Sequence, residues 1–130
     1  MSKLSKAYAL IIGVGNDLPT TVLDATAIYN ILVNEELAGY PEENIILLTE
    51  DKATRQGILS GFDELILKID EDASVMLFYS GHGGFYEPWN QFYLVPNDFD
   101  ADDYDTTWIT AEELKEKINK INSRRLIFFF

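Results

Sequence analysis

The sequence predicts a doubly wound α/β domain, a mostly parallel sheet with helices on its faces. Two observations predict it. Four short runs, AYALIIGV (7–14), NIILLT (44–49), SVMLFYS (74–80) and RLIFFF (125–130), are apolar without alternation and bounded by turn residues. Strands with one wet face alternate, whereas unbroken apolar runs belong to strands covered on both faces. Segments of helical periodicity lie between them, giving the order strand, helix, strand, helix, strand, excursion, helix, strand.

Each element has its own signal. Two lysines precede the first run and give it a superficial likeness to a secretory leader. No small-residue cleavage site follows, and the run reads as a strand ending at Gly13. Residues 20–38 place Leu23, Ala27 and Ile31 on one helical face, with Ile28 and Leu32 one step round. Residues 54–69 do the same with Ile58, Leu59, Phe62, Leu65, Ile66 and Ile69. The third helix starts at Thr110, which forms a capping box with Glu113 and is flanked by the hydrophobic staple of Ile109 and Leu114.

The excursion, 81–108, contains QFYLVP (91–96), expected as a small strand or hairpin arm. Neither an internal repeat nor a low-complexity linker divides the chain, so residues 1–130 form one unit. The last run ends in three phenylalanines with no polar residue after them, which leaves an open apolar edge. The expectation is that 1–130 is the N-terminal part of a single domain whose remainder lies beyond Phe130 or in another chain.

Composition narrows the function. A chain of 130 residues is long enough to bury a core, and 47% hydrophobic residues argue against disorder. The formal charge of −12 opposes nucleic-acid phosphates and anionic membrane surfaces, and suits a basic peptide better. No apolar stretch is long enough to span a membrane, so a cytoplasmic protein is expected. With no cysteine, the chain forms neither disulfides nor thiolate metal sites.

Ligands of open α/β sheets bind beyond the carboxyl ends of the strands. That rule selects the loops GVGNDLP, EDKAT and SGHGGFYE. The first has two glycines of a dinucleotide fingerprint, but Leu18 stands in place of the third and Glu50 lies too far along for the ribose. A phospho-acceptor receiver needs an aspartate where Ser80 stands. An EF-hand read from Asp98 meets Asp103 at the glycine position and Ile109 at the glutamate position. There remains His82, the one histidine, between Gly81 and Gly83. The glycines allow close backbone approach and supply N–H donors for an oxyanion, and an imidazole exchanges protons near neutral pH. The pattern alone also fits an ordinary turn histidine.

VMLFYSGHGG after the third strand resembles the histidine motif of caspase-like cysteine peptidases, the metacaspases and their bacterial relatives. YALIIGVGNDLP is similar to their first strand and loop, TTVLDATAIYNIL to their first helix, and GYPEENIILLTEDKAT to their second strand and its exit. RLIFFF resembles the strand that runs into the Asp-any-Cys motif of the nucleophile. The resemblance implies a three-layer α/β/α sandwich around a mostly parallel sheet, incomplete at its C-terminal end. It implies that His82 is the catalytic histidine and that the Gly83 N–H belongs to the oxyanion hole. It places Asp24 and Ser80 in the pocket for the residue before the scissile bond, and an acidic pocket implies cleavage after arginine or lysine. A buried carboxylate pairs well with a guanidinium, and the first and third loops carry no arginine to receive an acidic side chain. Asp24 has a second reading, as an acid near the positive end of a helix dipole.

The resemblance implies no obligatory cofactor. Positions that are acidic in calcium-dependent metacaspases hold Asn90, Gln91, Thr110 and Ala111, so their calcium ligand set is not matched despite aspartates at 98, 100, 102, 103 and 105. The expected partners are a protein substrate and the remainder of the peptidase domain bearing the cysteine, without which this chain is inert. Two alternatives stay open: a non-catalytic interaction module of the same fold, and a small nucleotide-binding domain using Gly13 and Gly15.

Overall fold

The apolar runs pair in parallel, as their lack of alternation requires. In the computed structural model, which describes residues 5–129, β1 (Ala7–Gly13) lies between β2 (Ile45–Thr49) and β3 (Ser74–Ser80). The strand β7 (Arg125–Phe129) adds to β3, giving the all-parallel order β2-β1-β3-β7. The register sets Gly13 opposite both Thr49 and Ser80, so three strands end at one level and their exit loops share one edge. Met1 to Leu4 and Phe130 lie outside the described residues, including the start of the leader-like segment and the last residue of the fourth run.

Strand alternation divides the apolar residues between two layers. Leu10 and Ile12 of β1, with Val75, Leu77 and Tyr79 of β3, meet Ile58, Phe62 and Leu65 of α2 (Arg55–Lys68) and Leu114 of α4 (Ala111–Asn119). Ala9 and Ile11 point the other way, onto Ala25 and Leu32 of α1 (Thr20–Val33). Fully burying a side chain such as Leu65 or Ile58 contributes about 1.5–3 kcal/mol.

The inward face of α1 matches the predicted one only in part. Ile28 and Leu32 face inward as expected, but Leu23, Ala27 and Ile31 are exposed, and Thr21, Ala25 and Tyr29 take their place against the sheet. The cause is close contact with β1. A Cβ at Gly13 would collide with the Thr21 carbonyl oxygen and the Ala25 methyl, so only the small-residue face fits there. The helix also ends five residues earlier than predicted. Asn34 leaves the helical conformation and its side chain accepts the Glu36 N–H, 2.9 Å away, a local turn that competes with another helical bond. The last strand is less covered than its sequence suggests: Ile127, Phe128 and Phe129 remain about half exposed at the sheet edge.

The excursion builds a second, antiparallel sheet from β4 (Gly83–Tyr86), β5 (Gln91–Leu94) and β6 (Ile109–Thr110). Only β5 was visible in the sequence. Between β5 and β6 lies a short helix, α3 (Tyr104–Thr107). Tyr86, Trp89, Tyr104 and Trp108 pack edge to face and tilted at centroid distances of 5.1–5.9 Å, giving this layer its own apolar cluster. The predicted capping box of Thr110 and Glu113 is present, and both staple residues, Ile109 and Leu114, are buried. Arg55 fastens the excursion to α2: its N–H donates to Asp98 at 2.8 Å, its Nε to the Trp108 carbonyl at 2.9 Å, and its guanidinium pairs with Glu113.

One buried hydroxyl joins the two sheets. Tyr79 Oη lies 3.1 Å from the His82 carbonyl oxygen and 3.2 Å from that of Val95. The Val95 N–H donates to the same His82 carbonyl at 3.0 Å, and the Val14 N–H donates to that of Ser80 at 3.0 Å. Gly81 lets the chain pass this point, since a Cβ there would come within 2.8 Å of Val14 and 2.9 Å of the Tyr79 hydroxyl.

Leu65→Ala, at a fully buried site, is expected to cost about 2–5 kcal/mol in urea unfolding. Leu67→Ala, at 87% exposure, is expected to stay within about 0.5 kcal/mol. Tyr79→Phe is expected to cost about 1 kcal/mol and to speed amide exchange at residues 82–84, measured by hydrogen–deuterium exchange.

Candidate active site

The strand register determines which side chains meet. His82 leaves β3 two residues after Ser80, and its carbonyl is fixed by Tyr79 and Val95. Its ring is half exposed at 50%, and Nε2 lies 3.1 Å from Oδ2 of Asp17. Asp17 stands on the loop that leaves β1, so this pair forms across 65 residues of sequence because β1 and β3 are neighbours. Among the described residues, Nδ1 has no hydrogen-bond partner.

That loop is braced from several sides. The Gly15 N–H donates to Thr21 Oγ1 at 2.8 Å, whose hydroxyl donates to the Leu18 carbonyl at 2.7 Å. The Leu18 N–H closes a turn onto the Gly15 carbonyl at 3.1 Å. Asn16, at φ 57, takes the left-handed conformation that asparagine tolerates and donates to the Asn97 carbonyl at 2.6 Å. Asn97 in turn donates to the Val14 carbonyl at 2.9 Å. Gly15 and Asn16 thus serve a tight turn, with Asp17 at its tip.

The two residues predicted for a substrate pocket are brought together. The Ser80 hydroxyl lies 3.5 Å from Asp24 Oδ2, a long contact between the end of β3 and the second turn of α1. Asp24 is exposed rather than buried, and it stands beyond the first helical turn, where the dipole is strongest. Gly83 opens β4 rather than lying in a loop. Antiparallel pairing alternates hydrogen-bonded and open pairs. His82 is bonded to Val95, so Gly83 opposite Leu94 is an open position and its N–H turns away from β5. An exposed glycine N–H next to an imidazole is a suitable donor for a developing oxyanion.

Neither of two open recesses is lined by Asp17, Asp24, Ser80 or His82. One, of about 610 Å³, is lined by Gly15, Asn16, Val22, Glu50, Asp51 and Asn97 and carries acidic side chains. The other, of about 580 Å³, is an apolar groove lined by Gly83, Gly84, Phe85, Phe92, Leu94 and Leu114. The aspartates of the excursion do local work. Asp98 accepts the Arg55 N–H and Asp100 accepts the Asp102 N–H at 2.9 Å. Among the described residues no cluster of three or more His, Cys, Asp or Glu could hold a metal ion.

Sequence reasoning singled out the loop of Asp17 but not Asp17 itself. Its residue type was visible, but its contact with His82 depends on tertiary placement of two exit loops.

The arrangement can move a proton, but these 130 residues hold no thiol. Comparison with known proteins assigns the fold to a family. The caspase domain profile matches residues 6–130. Metacaspase-1 of Saccharomyces cerevisiae, in strains YJM789 and ATCC 204508 / S288c, is 34% identical to this chain over 87 residues. The match covers 58% of this chain but only 20% of the yeast protein. The parallel sheet, its flanking helices and the match over nearly the whole length agree: the chain belongs to the caspase domain family of peptidases.

Proposed function

We propose that this chain is the histidine-bearing part of a cysteine endopeptidase that cleaves peptide bonds after arginine or lysine. The observation that carries the proposal is His82, held at the carboxyl edge of a parallel sheet with one ring nitrogen on a carboxylate and the other open. Because the chain has no cysteine, the nucleophile must come from polypeptide outside these residues. The register supports a place for it. Any polypeptide that continued β7 alongside β3 in the same register would draw level with His82.

The steps follow from ordinary acyl-transfer chemistry. His82 Nδ1 takes the thiol proton, and the thiolate attacks the scissile carbonyl carbon. The carbonyl oxygen becomes an oxyanion facing the Gly83 N–H. As the C–N bond breaks, the imidazolium returns its proton to the leaving amine. A thioester remains. Water then attacks it, giving up a proton to His82, and the acid product and free thiol are released.

Asp24 and Ser80 supply the specificity in this reading. An exposed carboxylate in the empty enzyme becomes covered when a substrate guanidinium enters, and the charge-assisted hydrogen bonds then strengthen. The net charge of −12 favours approach of a basic peptide.

In the intact parent protein, His82→Ala is expected to lower kcat by about 10²–10⁴-fold, measured with arginyl peptide substrates. Asp24→Ala is expected to lower kcat/KM for those substrates by about ten- to a hundredfold, while an unaltered rate would remove the pocket assignment. Chelation of divalent cations is expected to leave the rate unchanged. Full activity in His82→Ala, or a parent with no peptidase activity, would instead favour a non-catalytic interaction module.

A further inference from the structure

We infer that Asp17 is a positioning residue for His82, holding the ring in the tautomer that keeps Nδ1 free to accept a proton. The inference rests on the proposed role of His82 as the base of a cysteine peptidase. The contact itself is direct: Asp17 Oδ2 stands 3.1 Å from Nε2. An ionised carboxylate only accepts hydrogen bonds, so the ring nitrogen facing it carries the hydrogen. In the neutral ring the lone pair then resides on Nδ1, the nitrogen without a partner among the described residues.

Both members of the pair are anchored through their backbones. His82 is held at its carbonyl by Tyr79 and Val95. Asp17 is carried by the turn that Thr21 and Asn97 hold in place. Neither anchor constrains rotation of the imidazole about its own side-chain bonds, and the carboxylate is the group that does.

Proton bookkeeping favours positioning over relay. When Nδ1 takes the thiol proton, the Nε2–H remains on the ring and continues to donate to Asp17. When Nδ1 protonates the leaving amine, the same neutral tautomer is restored. Asp17 therefore begins and ends each half-reaction ionised, and its charge stabilises the imidazolium between them. The pair is solvent-exposed at 50% and 74%, and such pairs add little to stability. Its removal should alter function without unfolding the protein.

The test uses the intact parent protein with Asp17→Ala, Asp17→Glu and Asp17→Asn, alongside His82→Ala. Asp17→Ala is expected to lower kcat by about ten- to a hundredfold, with KM changed less than about twofold and the melting temperature by less than about 2 °C. Asp17→Glu, and more weakly Asp17→Asn, should restore part of kcat, because each returns an acceptor near Nε2. Nitrogen-15 NMR of the His82 ring provides a readout independent of catalysis. It should report the Nε2–H tautomer in the parent and a mixture in Asp17→Ala. Undiminished kcat in Asp17→Ala, with His82→Ala inactive, would overturn the role of Asp17 and leave the peptidase reading intact. So would a dominant Nδ1–H tautomer in the parent. If His82→Ala retains full activity, the peptidase reading fails, whereas the tautomer measurement still decides whether Asp17 orients the ring.

Discussion

The candidate site depends on the buried hydroxyl of Tyr79, which reaches the carbonyl oxygens of both His82 and Val95. Burial pushes this hydroxyl well above the usual tyrosine range, so it stays protonated as a donor. It sits on β3, the strand paired to β1 on one side and β7 on the other. The hydroxyl therefore transmits the rigidity of the parallel sheet to a loop that otherwise contains two glycines around a half-exposed histidine. It also ties down the end of β5, and with it the small sheet that orients Gly83. A buried polar group left without partners would cost about 1–3 kcal/mol, so this hydroxyl and these carbonyls specify each other.

Much of this was legible in the sequence, for identifiable reasons. The unbroken apolar runs gave the parallel strands, because burial on both faces leaves no alternation. Thr110, Glu113, Ile109 and Leu114 gave the start of α4, because capping is a local matter of four or five residues. Packing choices were not legible. The apolar stripe of Leu23, Ala27 and Ile31 looked like the inner face of α1, but Gly13 of β1 admits only the face of Thr21 and Ala25. Nor did β4 and β6 announce themselves: β4 is four residues long and begins with two glycines, and β6 has only two residues.

The site divides in the same way. His82 and its flanking glycines were named from residue type and order, Asp24 and Ser80 from the family resemblance, and the fold brings them to one edge. Asp17 was passed over because its contact with His82 spans 65 residues of sequence. Its loop forms a turn closed by Leu18 and Thr21, with the aspartate against the histidine. Glu50 and Asp51 line the neighbouring recess, and the chain carries 22 acidic residues against 10 basic ones. This acidic edge is part of the ground for proposing a basic substrate.

The proposed role of His82 is service to a thiol supplied from outside these residues. Labelling the intact parent protein with a peptidyl electrophile ending in arginine, followed by mass spectrometry, tests it most directly. One covalent adduct is expected, on a cysteine outside these 130 residues, formed far more slowly in His82→Ala. Absence of an adduct, or an equal labelling rate in His82→Ala, would contradict it.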